Sequence, residues 1–121
     1  MKIKEVSEMF HLTQDTLRYY EKMGLLGKIS RGPGGVRNYQ DKDIQRLEFV
    51  SCMREAGMSI QALQKYLQLN DQGESTVVER KNLLIQERDE LLKKQEIILN
   101  SIKKLNYKID NYEKILQSKK I

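Results

Sequence analysis

The 121-residue chain has one cysteine, one proline and no tryptophan, and its only histidine is His11. A lone cysteine excludes an intramolecular disulfide, and no cysteine–histidine cluster stands at zinc-ligand spacing, so no metal site and no cofactor are expected. With a single histidine, no nucleophile and base can be placed together. The glycine turn GPGG lacks the lysine and helix opening of a phosphate-binding loop. The chain is therefore not expected to be an enzyme, and no residue is assigned a catalytic role. No apolar run approaches the ~20 residues that cross a bilayer, and MKIKEV lacks the apolar stretch of a signal peptide, which predicts a cytoplasmic protein without a membrane partner.

What is present is charge and helical periodicity. Charged residues make up 32% of the chain and hydrophobic ones 39%, a balance that suits a mainly α fold better than disorder. A chain this short buries only a modest core, so a second copy is an expected source of buried surface. The net charge is +5, and it is unevenly spread. Thr16 to Gln40 holds five bases (Arg18, Lys22, Lys28, Arg31, Arg37) and one acid, Glu21, whereas the last 51 residues hold 11 bases and 9 acids. The positive field is thus focused early in the chain, where nucleic acid is the leading candidate partner.

Ile3, Val6 and Phe10 recur at helical spacing and predict a first helix over residues 2–9. His11 follows at a turn, as a residue that tolerates unusual backbone. In TQDTLRYYEKMG, Thr13 is placed to cap a second helix, Asp15 to favour its positive end, and Gly24 to stop it. Leu17 and Tyr20 then point inward, leaving Gln14, Thr16, Arg18, Tyr19 and Lys22 toward solvent or a partner. Two short helices in this arrangement read as a helix-turn-helix, or equally as an ordinary helical hairpin with a charged face. KISRGPGGVRNYQ predicts a hairpin, and Arg37 and Tyr39, two apart, are expected on one strand face where cation and phenol can grip phosphate. A third helix begins at Asp41 with Ile44, Leu47 and Val50 at core spacing. Ser59 caps a fourth with Ile60, Leu63 and Leu67 on one side.

After the polar break NDQGES the pattern changes. Val77, Leu84, Leu91, Ile98, Leu105 and Tyr112 fall every seventh residue, joined in the distal half by Ile102, Ile109 and Leu116 and in the proximal half by Val78, Ile85, Leu92 and Leu99. The rotation of the apolar face predicts a near end packed on the chain's own head and a far end packed on a partner helix. The expected organisation is a DNA-binding head at 1–70, a connector at 71–75 and a long dimerisation helix at 76–121.

Together, TLRYYEKMGLL, the wing ending VRNY, DKDIQRLEFV and REAGMSIQAL resemble the MerR family of bacterial transcription regulators. The resemblance implies a winged helix-turn-helix head with a small β-hairpin wing, followed by a long C-terminal coiled-coil helix that pairs antiparallel in a homodimer. It also implies binding to double-stranded promoter DNA with an overlong spacer, which is bent and untwisted for RNA polymerase. By position, Arg18, Tyr19, Arg37 and Tyr39 match the family's DNA-contacting places, and Gln14 and Thr16 are added as side chains near the helix start that can reach base edges. Ile29, where proline is common, and the GPGG tip depart from the pattern.

CMREAGMSIQALQKYL, DQGEST, ERKNLL and KLNYKIDNYE resemble more narrowly the AdhR and NmlR branch, associated with aldehydes, other electrophiles and thiol stress. In that branch a cysteine at the place of Cys52 is implicated in sensing. The residues themselves leave two readings. Phe49 and Ala56 at one-turn spacing suit an inert packed thiol, and Glu48 and Glu55 leave no local cation to activate the sulfur; the resemblance makes Cys52 the effector-sensing residue. The alternatives are a regulator of the same kind with a silent, structural Cys52 and a small-molecule inducer or none, and a coiled-coil adaptor that binds no DNA.

Overall fold

A computed structural model describes residues 1–119, so the last two residues of the expected 76–121 helix lie outside the described residues. The described residues fold as five α-helices and one two-stranded hairpin: α1 (Ile3–Phe10), α2 (Gln14–Lys22), β1 (Ser30–Arg31), β2 (Arg37–Asn38), α3 (Asp41–Glu55), α4 (Ile60–Asp71) and α5 (Val77–Ser118). Single 3₁₀ turns at Pro33–Gly35 and Glu74–Thr76 join β1 to β2 and α4 to α5. The expected winged helix-turn-helix followed by a long helix is what the chain builds. No helix among the described residues is long and apolar enough to cross a membrane.

Local chemistry explains most boundaries. α1 ends at His11, whose backbone is left-handed at φ 54°, a conformation in which histidine is enriched among non-glycine residues. Thr13 Oγ1 accepts from the Thr16 N–H at 3.0 Å and starts α2. At its other end Gly24, at φ 78°, lets Leu25 N–H reach back to Tyr20 O at 2.9 Å, which satisfies a carbonyl the helix leaves open. Gln40 and Asp43 cap α3 reciprocally, with Asp43 Oδ2 accepting from the Gln40 N–H at 2.8 Å. Ser59 Oγ caps α4 through the Ala62 N–H at 3.0 Å.

The first compact unit runs from Met1 to Leu83 and the second starts at Leu84. Val6, Leu17, Leu25, Leu47, Val50 and Leu63 are fully buried and bring α1, α2, α3 and α4 onto one core. This unit takes in the turn before α5 and the first residues of α5. Thr76 at that turn is buried, its hydroxyl donates to Leu69 O and Gly73 O, and Arg80 Nε donates to Thr76 Oγ1 at 3.1 Å. The start of α5 is thus fastened by polar bonds. Val77 and Val78, expected to pack on the head, stay exposed.

In the second unit α5 carries an open apolar seam. Ile98, Ile102, Leu105, Ile109, Tyr112 and Leu116 alternate at spacings of four and three and are each between 46% and 63% exposed. Water-facing apolar rows of this length, repeating every 3.5 residues, are the surface a partner helix covers.

Candidate nucleic-acid interface

α2 buries Leu17 and Tyr20 and turns its other face out, with Tyr19 46% exposed. Along that face Arg18 is braced by its own helix: Nη1 donates to Asp15 Oδ1 at 3.0 Å and Nη2 to Gln14 Oε1 at 3.3 Å. Exposed pairs of this kind contribute less than about 1 kcal/mol, so they orient the guanidinium without locking it away from a phosphate or base edge. Thr16 is partly exposed, its hydroxyl 2.8 Å from that of Thr13. The structure therefore gathers Gln14, Thr16, Arg18 and Tyr19 on one short helix, at its capped end and outward face.

The wing differs from expectation in one side chain. Arg37 pairs across the hairpin with Arg31 and is half-buried. Tyr39 is not beside it on the surface: it is 2% exposed, with its hydroxyl buried and without a hydrogen-bond partner among the described residues. The alternation argument fails because β2 ends at Asn38; Tyr39 N–H instead donates to Met1 O at 2.7 Å. Burial pushes the Tyr39 phenol above its ordinary value of 10.0, with Glu21 adding to the rise and Arg37 opposing it.

Three residues that position this surface escaped the sequence reading. Glu21 accepts from Arg37 Nε at 2.8 Å and from Arg31 Nη2 at 3.5 Å, tying wing to α2. Arg46 on α3 donates through Nε to Leu25 O at 2.8 Å and forks onto Asp71 at 2.8 and 3.2 Å. Gln64 on α4 donates to Met23 O at 2.9 Å. The exit of α2 is thereby held from two other helices. Only Glu21 left a trace in the sequence, as an isolated acid among five bases; the other two contacts span 21 to 41 residues and leave no local signal.

Cys52 is exposed on α3. The packed reading fails because α3 buries the stripe through Leu47 and Val50, and a residue two further on lies about 200° around the helix. Phe49, one turn earlier, instead stacks on Tyr66 of α4 with ring centroids 5.0 Å apart. No group of three or more metal-binding side chains occurs among the described residues.

Comparison with known proteins agrees with this geometry. The MerR HTH family regulatory protein profile matches residues 1–70, and the MerR DNA-binding profile matches residues 44–111. AdhR, an HTH-type transcriptional regulator of Bacillus subtilis, is 47% identical over 92 residues, which is 76% of this chain and 66% of AdhR; the match thus spans just under two-thirds of that relative's length. A MerR family regulator from Listeria monocytogenes, known from a crystal structure, superposes with a TM-score of 0.82 at 41% identity, covering 93% of this chain and 86% of that one. HiNmlR, a MerR family regulator lacking the sensor domain and crystallised bound to promoter DNA, superposes with a TM-score of 0.74 at 27% identity, covering 93% and 90%. With both profiles matched and the winged head and long helix in place, this chain belongs to the MerR family of helix-turn-helix DNA-binding transcriptional regulators.

Proposed function

We propose that this protein is a homodimeric regulator that grips double-stranded promoter DNA with α2 and the wing, and bends and untwists an overlong spacer so that RNA polymerase can use it. The observation that carries this reading is the outward face of α2, where Arg18 and Tyr19 stand free of the core directly opposite Leu17 and Tyr20. Arg18 and Arg37 are assigned to phosphate, Gln14 and Thr16 to base edges, and Tyr19 to the duplex backbone. Tyr39 enters through its unpartnered hydroxyl, which contacts phosphate only if the wing shifts to uncover it. The open seam of α5 supports pairing through the helix at 76–121, the head being assigned to 1–70 and the link to 71–75. Distorting a site by 40–90° costs about 1–6 kcal/mol by smooth-bending estimates, which the phosphate contacts of two heads must offset.

Titrating the full chain against its own promoter duplex and a random duplex over a salt series tests this. Promoter affinity is expected to exceed random affinity by about 10³ or more and to fall with log salt at a slope near −0.9 for each phosphate engaged. Equal affinity for both duplexes rejects the reading.

We infer further that Cys52 is the effector-sensing residue, answering electrophiles or aldehydes. Its exposure supports this, since an accessible thiol can be attacked. In a promoter-driven transcription assay, Cys52→Ser is expected to abolish the aldehyde response while leaving DNA affinity within about twofold. An undiminished response in the serine variant makes the thiol irrelevant.

A further inference from the structure

Glu21 is the only acid between Thr16 and Gln40, and it sits against both wing arginines. Electrostatics alone would disfavour an acid on a face that meets a polyanion, and by charge counting its removal should tighten binding. The hydrogen bonds argue the opposite. Glu21 Oε1 takes only Nε of Arg37, at 2.8 Å, and the two terminal nitrogens of that guanidinium make no hydrogen bond among the described residues. A guanidinium presents its donors in a rigid plane, so a carboxylate holding Nε fixes where the terminal pair points. Arg37 lines a cleft of about 350 Å³ together with Lys2, Gly32, Pro33, Val36 and Asn38. Two cations therefore border one opening beside the wing.

The pair is also better shielded than a surface one. The side chains of Glu21 and Arg37 are 20% and 21% exposed, so water and salt screen them less. Arg31 adds a second tether: Nη2 reaches Glu21 Oε2 at 3.5 Å while Nη1 donates to Gly35 O at 3.0 Å, which links the wing tip to the same carboxylate.

We propose that Glu21 is a positioning residue for DNA binding: it aims the Arg37 fork at a backbone phosphate seated in the cleft bordered by Lys2, and sets the spacing between wing and α2. This rests on the DNA-binding reading given above. Glu21 itself touches no DNA and acts through Arg37.

The test compares full-length wild type with Glu21→Ala, Glu21→Gln, Arg37→Ala and the Glu21→Ala/Arg37→Ala double variant. Affinities for the promoter and a random duplex are read by fluorescence anisotropy over a salt series, with thermal melting to confirm folding. Glu21→Ala is expected to bind the promoter and the random duplex alike about tenfold more weakly despite its extra positive charge, because a backbone phosphate contact carries no sequence information. Its salt slope should be shallower by about 0.9, the loss of one phosphate contact. On the Arg37→Ala background the same substitution should cost nothing further. Glu21→Gln, which keeps an acceptor oxygen for Nε, should fall between, and it serves as the reading if the alanine variant does not fold. Promoter binding as tight as wild type or tighter in the folded variant overturns the proposal, as does a loss that adds in full to that of Arg37→Ala. Failure of the wild type to prefer its promoter removes the DNA-binding reading and this inference with it. An unaffected Glu21 variant beside a binding wild type removes only the role of Glu21.

Discussion

Replacing Ile102 and Ile109 together with aspartate is expected to leave the protein monomeric in analytical ultracentrifugation and to weaken promoter binding at least a hundredfold. Both isoleucines lie in the open seam of α5, 46% and 52% exposed. Burying an isoleucine side chain contributes about 1.5–3 kcal/mol. A pair of helices buries four such side chains at these positions, each already about half covered, so self-association loses about 3 kcal/mol or more, roughly two decades. The added carboxylates also face apolar neighbours without partners. A single head keeps α2 and its wing but meets only one half-site, which is why the effect reaches the operator. Thermal melting of the first unit should move little. A variant that sediments as a dimer and binds DNA normally would move the subunit contact to some other surface.

The second large effect lies inside the head. Leu17→Ala is expected to cost about 2–5 kcal/mol in urea denaturation, because Leu17 is fully buried in α2 and its truncation leaves a cavity. Small domains have only about 5–15 kcal/mol in total. The variant should accordingly be partly unfolded near 37 °C and lose promoter binding, although Leu17 faces away from any duplex. Leu17→Met, which roughly conserves volume, should stay within about 1.5 kcal/mol of wild type. A loss below about 1 kcal/mol in the alanine variant would mean that the α1–α2 core can collapse around the gap.

The limits of the sequence reading follow the range of the interactions. The caps at Thr13 and Ser59, the left-handed turn at His11 and the Gly24 stop depend on side chains within a few residues, and a linear reading finds them. So does the inward pair Leu17 and Tyr20, because helical period fixes which neighbours share a face. Tyr39 departs from strand alternation because it lies one residue beyond where pairing stops. Phe49, one turn before Cys52, is itself partly exposed and turned to Tyr66, so it does not mark the buried stripe. The contacts that aim the candidate DNA surface, Glu21 with Arg37 and Arg46 with Leu25 and Asp71, join residues 16 to 25 positions apart. No periodicity predicts these pairings, since each depends on how one element packs against another.

The fastening of α2 and α5 within the head has a mechanical consequence. Arg46 bridges the carbonyl of Leu25 to Asp71, and Arg80 bridges Asn70, Gly73 and Thr76. At this joint, from the exit of α2 to the first turn of α5, guanidinium forks thus supplement the apolar core of the head. Such a joint resists torque in particular directions, and its partly solvated links lose stiffness as ions screen them. Raising ionic strength therefore acts twice: it loosens the hold on a duplex, and it adds play to the joint between the exit of α2 and the first turn of α5.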